Sequence, residues 1–135
     1  MRDILFRAKR IDTGEWVIGY YQRTNEAKHN HTIVIPYRGY IDWEYEIAPE
    51  TVSQYTGMTD SEGNKIFEGD ILSGERYRDY GQTGEYVEDK QVVKWNEKKC
   101  GFDPMIWFDG YSHDIKWYKV VGNVFDNPDM AENGI

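Results

Sequence analysis

The stretch Ile4-Leu5-Phe6-Arg7-Ala8-Lys9-Arg10-Ile11-Asp12-Thr13-Gly14-Glu15-Trp16-Val17-Ile18-Gly19-Tyr20-Tyr21 decides the fold class. Ile4, Phe6 and Ala8 alternate with Leu5, Arg7 and Lys9, the period-two pattern of a strand with one buried face. Residues 11–15 interrupt it with turn chemistry, where Gly14 is able to take positive φ. Residues 16–21 then resume with β-branched and aromatic side chains. The segment predicts a hairpin with a bulged turn.

The same rhythm continues outward. Thr32–Ile35 predicts a strand ended by Pro36, and Trp43 and Tyr45 alternating with Glu44 and Glu46 predict another over 42–47. Ala48-Pro49-Glu50-Thr51-Val52 suits only a short helical or 3₁₀ turn. Turn residues are densest at Gly57, at Asp60-Ser61-Glu62-Gly63-Asn64 and at Glu68-Gly69-Asp70, with Lys65-Ile66-Phe67 as a strand fragment between. Asp70-Ile71-Leu72 opens a strand, residues 73–84 read as a mobile loop, and strands are expected near 85–95, 102–108 and 114–125. Residues 129–135 read as a frayed tail. No apolar stripe of helical length occurs, so the chain is expected to be all-β or mostly β, a barrel or sandwich. A change of rhythm near 48–50 separates an N-terminal β region, 1–48, from a C-terminal region, 49–128, unless the two form one continuous domain.

Composition narrows the function classes. At 135 residues the chain fits one compact domain or two small subdomains. Its single cysteine, Cys100, excludes an intramolecular disulfide and a Cys-based zinc site. No apolar stretch approaches the ~20 residues of a membrane-spanning helix, and no signal-peptide core opens the chain, so a soluble protein of a reducing compartment is expected. The formal charge of −8 is uneven: residues 1–40 hold seven Lys/Arg against four Asp/Glu, residues 41–70 one against eight. The favoured explanation is mutual neutralisation across the surface. The sharper one makes Arg2, Arg7, Lys9 and Arg10 a patch for an acidic partner.

Sequence-local chemistry is sparse. His29 and His31 share a face if extended, yet zinc sites need three or four ligands. His113 beside Asp114 does not make a triad. Residues 60–64 superficially resemble a calcium loop, but the sixth position from Asp60 is Lys65 and the twelfth Ile71, where an EF-hand needs Gly and Glu. Glu44/Glu46 and Glu68/Asp70 are acid pairs of the kind glycoside hydrolysis uses, although 24 acids yield such pairs by chance. Gly81-Gln82-Thr83-Gly84 lacks the Lys-Ser/Thr of a P-loop. Lys98 and Lys99 directly precede Cys100, which is read foremost as a small apolar residue at a strand start. The 21 aromatic residues mostly supply core, with Trp16, Phe67 and Trp95 as expected anchors. Tyr20, Tyr21, Tyr37, Tyr40, Tyr77, Tyr80, Tyr86 and Tyr111 lie in or beside loops, where tyrosines serve protein interfaces or stack nucleobases.

Three blocks carry a resemblance. Residues 54–71, Gln54-Tyr55-Thr56-Gly57-Met58-Thr59-Asp60-Ser61-Glu62-Gly63-Asn64-Lys65-Ile66-Phe67-Glu68-Gly69-Asp70-Ile71, resemble the central signature of the YopX family of phage and prophage proteins. Ile4–Lys9 with Gly14–Tyr20, and Val121–Pro128, resemble its two ends, with Ala8 where the family pattern leads one to expect glycine. The resemblance implies an SH3-like β-barrel in the C-terminal part, a phage or prophage gene and hence the bacterial cytoplasm. It implies no reaction, cofactor or catalytic residue. In physical terms the signature reads first as architecture: Gly57, Gly63, Gly69 and Gly122 at positive φ or close approaches, Trp16 as a core anchor, and Asp60, Glu68, Asp70 and Asn123 bonding turn backbones.

The resulting expectation is a non-enzymatic accessory protein without cofactor or metal. It binds a host or phage protein or assembles as a homo-oligomer, and it makes no use of a membrane. The alternative is a nucleic-acid-binding barrel of phage replication or regulation. Arg2, Arg7, Lys9, Arg10, Tyr77 and Tyr80 are the candidate contacts for a protein or nucleic-acid partner.

Overall fold

The computed structural model describes residues 3–23, 31–37, 40–78, 82–108 and 114–132. The chain folds as two compact units, Met1–Gly57 and Met58–Ile135. Both are built mainly from antiparallel strands, as the alternation of the sequence predicts.

In the first unit β1 (Phe6–Lys9), β2 (Trp16–Arg23), β3 (His31–Tyr37), β4 (Tyr40–Glu46) and β5 (Ser53–Thr59) stand in the order β4-β3-β2-β1-β5. The β1–β2 hairpin pairs Lys9 with Trp16 and Phe6 with Gly19. Its turn is closed by Arg10 N donating to Glu15 O at 2.9 Å and Gly14 N to Arg10 O at 2.9 Å, with Gly14 at φ +73°. Strand parity sends Phe6, Ala8, Val17, Tyr21, Ile33 and Tyr45 to one face, where Ala8, Ile33 and Ile47 are fully buried. A 3₁₀ turn at Pro49–Thr51 follows, and the Thr51 hydroxyl accepts Lys9 N at 2.9 Å, tying the turn to β1. Pro36 does not end β3. The strand absorbs the missing N–H through a register shift between Ile35 and Pro36.

In the second unit the last residues of β5 lead through a turn to its neighbour β6 (Lys65–Phe67). A three-stranded sheet follows, ordered β11-β7-β8, from β7 (Asp70–Tyr77), β8 (Tyr86–Val92) and β11 (Tyr118–Asn123). Beside it stands a ribbon of β9 (Lys94–Asn96) and β10 (Gly101–Asp103). Ile66, Leu72, Val93, Phe102 and Tyr118 form its core. Among the described residues none of these sheets closes on itself.

Several expected spans are corrected. The loop expected from 73 starts later, because β7 continues through Tyr77. The strand expected over 102–108 ends at Asp103: Pro104 has no N–H for the ladder, and Met105–Trp107 form a 3₁₀ turn. The one expected over 114–125 begins as a 3₁₀ turn at Ile115–Trp117, capped by the Asp114 side chain accepting Lys116 N at 2.9 Å. Residues read as a frayed tail open instead with a helical turn, α1 (Pro128–Glu132), for which Pro128 supplies a preset φ at the first position. Trp95 is not a core anchor. It meets Phe102 edge-on at 5.1 Å but is 45% exposed.

Candidate functional site

The central signature is held by its own acids. Asp60 is only 7% exposed, and its carboxylate accepts Glu62 N at 2.9 Å, Asn64 N at 2.8 Å and, from a strand sixty residues away, Val120 N at 2.9 Å. Burial alone pushes this carboxyl up, yet the N–H donations from Val120, Asn64 and Glu62 outweigh it and hold it below the ordinary Asp value. Asp70 is buried and accepts Phe67 N at 2.8 Å, and the Asn123 side-chain Oδ1 accepts Phe125 N and Asp126 N at 3.0 and 2.9 Å. Glu68 is half-buried in the same turn as Asp70. Gly57, Gly63 and Gly69 lie at φ +88°, +84° and +87°. Gly122 is needed for another reason: a Cβ there would come within 2.5 Å of Asn127 Oδ1. This network engages Asp60 and Asp70 in bonds to backbone N–H groups of their own turns.

The N-terminal basic residues are drawn into local stacking. Arg7 and Lys9 lie over the Trp16 ring at 4.7 and 5.3 Å, and Arg10 lies 4.4 Å over Tyr45 while its guanidinium meets Asp12 at 2.7 Å. The Asp12 hydrogen bond raises Arg10 above its ordinary value and Arg10 lowers Asp12. Arg2 lies outside the described residues.

The loop tyrosines separate. Tyr20 is 49% exposed, and Tyr21 is half-buried, stacked on His31 with its hydroxyl at His31 Nδ1. Tyr37 and Tyr40 are partners in the β3–β4 register. Tyr80 and Tyr111 lie outside the described residues. Tyr77 and Tyr86 come together as the last pair of the β7–β8 ladder. Their rings stack at 4.5 Å, Tyr86 donates its O–H to Tyr77 Oη at 2.8 Å, and Trp117 stands edge-on to both at 5.9 and 6.4 Å. The bond to Tyr77, then burial, then the charges of Tyr77 and Glu75 raise the Tyr86 phenol above its ordinary value, so it remains a donor at neutral pH.

One row inward on the same face, Glu75 stands directly opposite Glu88, both exposed. An open groove of about 340 Å³ runs over them, lined by Glu75, Glu88, Trp117, Lys119, Ser61 and Ser73. Gly74 also lines the groove, and a Cβ there would strike Trp117 O at 2.4 Å and, on the other face, the Tyr118 ring at 2.7 Å. The opposite face of the sheet carries a different network. Tyr118 is fully buried and donates to Asp89 Oδ2 at 2.6 Å, and Arg76 lies 3.7 Å from the same carboxylate. Burial first, then Asp89, raises the Tyr118 phenol well above its ordinary value.

Other candidates stay apart. His29 and His113 lie outside the described residues, as does Gly81, and no group of three metal-ligating side chains occurs among those described. Cys100 is exposed in a turn at φ +52°, with its thiol 3.6 Å from Glu97 O, so it is not the packed apolar residue expected. Among the described residues no helix is long and apolar enough to cross a membrane.

A family profile described as YopX protein matches residues 5–132. The chain belongs to the YopX family. From Leu5 onward the three resembling blocks lie inside the matched span. They build the β1–β2 hairpin, the run from β5 through β6 into β7, and the end of β11 with the turn before α1. Among solved structures the chain is similar to protein EF1440 from Enterococcus faecalis, with 17% identity and a TM-score of 0.56 over 96% of this chain and 99% of that one. At that identity the likeness concerns fold alone. No curated protein matches the chain. Within this YopX-family chain, sequence reasoning picked out Tyr77 and Tyr86 but missed Trp117, Glu75 and Glu88. Setting the antiparallel register at Tyr77–Tyr86 would have carried Glu75 onto Glu88, whereas no local signal marks Trp117.

Proposed function

We propose that this YopX-family chain is a non-catalytic accessory protein, phage- or prophage-encoded and acting in the bacterial cytoplasm, that works by binding protein through the aromatic face of its second unit. The observation that carries the reading is the Tyr77–Tyr86–Trp117 cluster, in which Tyr86 is 53% exposed on a strand rather than a loop. Rigid, exposed aromatics give large contact area at small entropic cost and dominate protein interfaces. The non-catalytic part is supported by the turn roles of Asp60 and Asp70. The partner is a host protein, a phage protein or a second copy of the chain. Light scattering and capture from phage-infected cells, each with wild type and Tyr86→Ala, test it. Self-association or a captured partner that disappears in the folded variant is expected, and equal behaviour of the two refutes it.

A nucleic-acid reading has its own support in Arg7, Lys9, Trp16, Ile18 and Tyr20, which share one face of the β1–β2 hairpin by register. It predicts single-strand affinity falling steeply with salt, and no binding at ~50 mM salt ends it.

A further inference from the structure

We propose that the groove over Glu75 and Glu88 receives an arginine side chain from a basic segment of a protein partner. This rests on the protein-binding reading above and names the chemistry of the partner.

Two like charges directly opposite on neighbouring strands destabilise a sheet. Among the described residues neither Glu75 nor Glu88 is within ion-pair distance of a cation, although Lys119 lines the same groove. The nearby arginines are spent elsewhere: Arg76 on Asp89 across the sheet and Arg78 on Glu85 at 3.2 Å. The groove thus holds a pair of carboxylates whose mutual repulsion an incoming cation relieves, while Lys119 and Lys90 stand one row further in, on either side of Ser73.

The wall selects which cation. Trp117 borders the groove, and the Tyr77–Tyr86 pair lies one row along the same face, roughly 7 Å away at strand rise. A guanidinium is planar, forks to carboxylates and stacks on aromatic rings, whereas an ammonium is a compact, strongly hydrated charge. A volume of about 340 Å³ takes one extended side chain with its backbone left outside. The surrounding charge favours the same occupant. Residues 58–135 hold nine Lys/Arg against sixteen Asp/Glu, so this unit attracts a basic peptide and repels a phosphate backbone.

The test is calorimetric titration of the full chain with a hexa-arginine peptide, its hexa-lysine counterpart and a neutral Gly-Ser hexapeptide in ~100 mM salt, where screening reaches only about 10 Å. The variants are Glu75→Gln/Glu88→Gln, which removes repulsion and therefore folds, and a charge-matched control, Glu50→Gln/Glu97→Gln, at exposed sites outside the groove. Hexa-arginine is expected to bind several-fold tighter than hexa-lysine. The groove variant should weaken it about tenfold, the equivalent of one lost charge-assisted contact, and the control less than about twofold. Absent saturable binding, or equal losses in the two variants, overturns the proposal. If that happens while Tyr86→Ala still abolishes partner capture, the aromatic reading survives without the arginine. If Tyr86→Ala leaves capture intact, the reading itself falls.

Discussion

Replacing Asp60 by Asn tests whether the YopX signature is architecture, because the substitution keeps side-chain volume and removes only charge and one acceptor. Asp60 Oδ1 accepts both Glu62 N and Asn64 N, whereas Oδ2 accepts Val120 N. An asparagine turned to keep its oxygen at the Oδ1 position preserves two of these backbone bonds. Its amide nitrogen then faces the Val120 N–H, donor against donor. The loss is one charge-assisted bond in a buried setting plus weakening of the other two, about 2–3 kcal/mol in all. Urea unfolding should show the midpoint falling at unchanged slope, and exchange of the Val120 amide should accelerate more than that of other β11 amides. The charge also fixes the pH behaviour. The folded carboxyl sits below its unfolded value, so its contribution is complete above about pH 4 and is lost as pH falls through the folded value. Asp60→Asn should therefore flatten the acid limb of the stability curve. A change under about 0.5 kcal/mol, which is the usual range for a surface substitution, together with unaltered Val120 exchange would refute the reasoning.

Three further outcomes are expected. Gly69→Ala forces a Cβ onto φ +87° and to 3.2 Å from the Phe125 ring, and should cost about 1–2 kcal/mol in thermal or urea unfolding. Glu88→Lys exchanges repulsion across from Glu75 for attraction and should stabilise the fold by about 0.5–1 kcal/mol. In that same variant the hexa-arginine affinity should fall, a pairing of gain and loss that a merely structural role for Glu88 does not give. Tyr118→Phe removes the O–H that donates to Asp89 at 2.6 Å and should cost about 1–3 kcal/mol by urea unfolding, with a cost under about 0.5 kcal/mol counting against it.

Strand parity and turn chemistry are local properties, and local reading served them well. The β1–β2 hairpin, the 3₁₀ turn after Ala48 and the 60–64 turn follow from residues that touch their neighbours in sequence. Where the reading failed, either a local signal had gone unused, as at Pro104 and Asp114, or packing beyond the local sequence decided, as at Trp95. Pro104 stopped a ladder, Asp114 capped a turn, and Trp95 stayed 45% exposed on its ribbon.

The candidate groove belongs to the second class entirely. Tyr77 and Tyr86 stood out as tyrosines in or beside loops, but their stacking requires the β7–β8 register. Trp117 reaches them only because β11 pairs with β7 across more than forty residues and Gly74 leaves room for its carbonyl. The like-charge facing of Glu75 and Glu88 is likewise a property of pairing, since nothing in either residue's neighbourhood in sequence records the other. Backbone conformation answers to nearest neighbours and is written along the chain. A binding surface answers to register and long-range packing, and exists only once the strands have met.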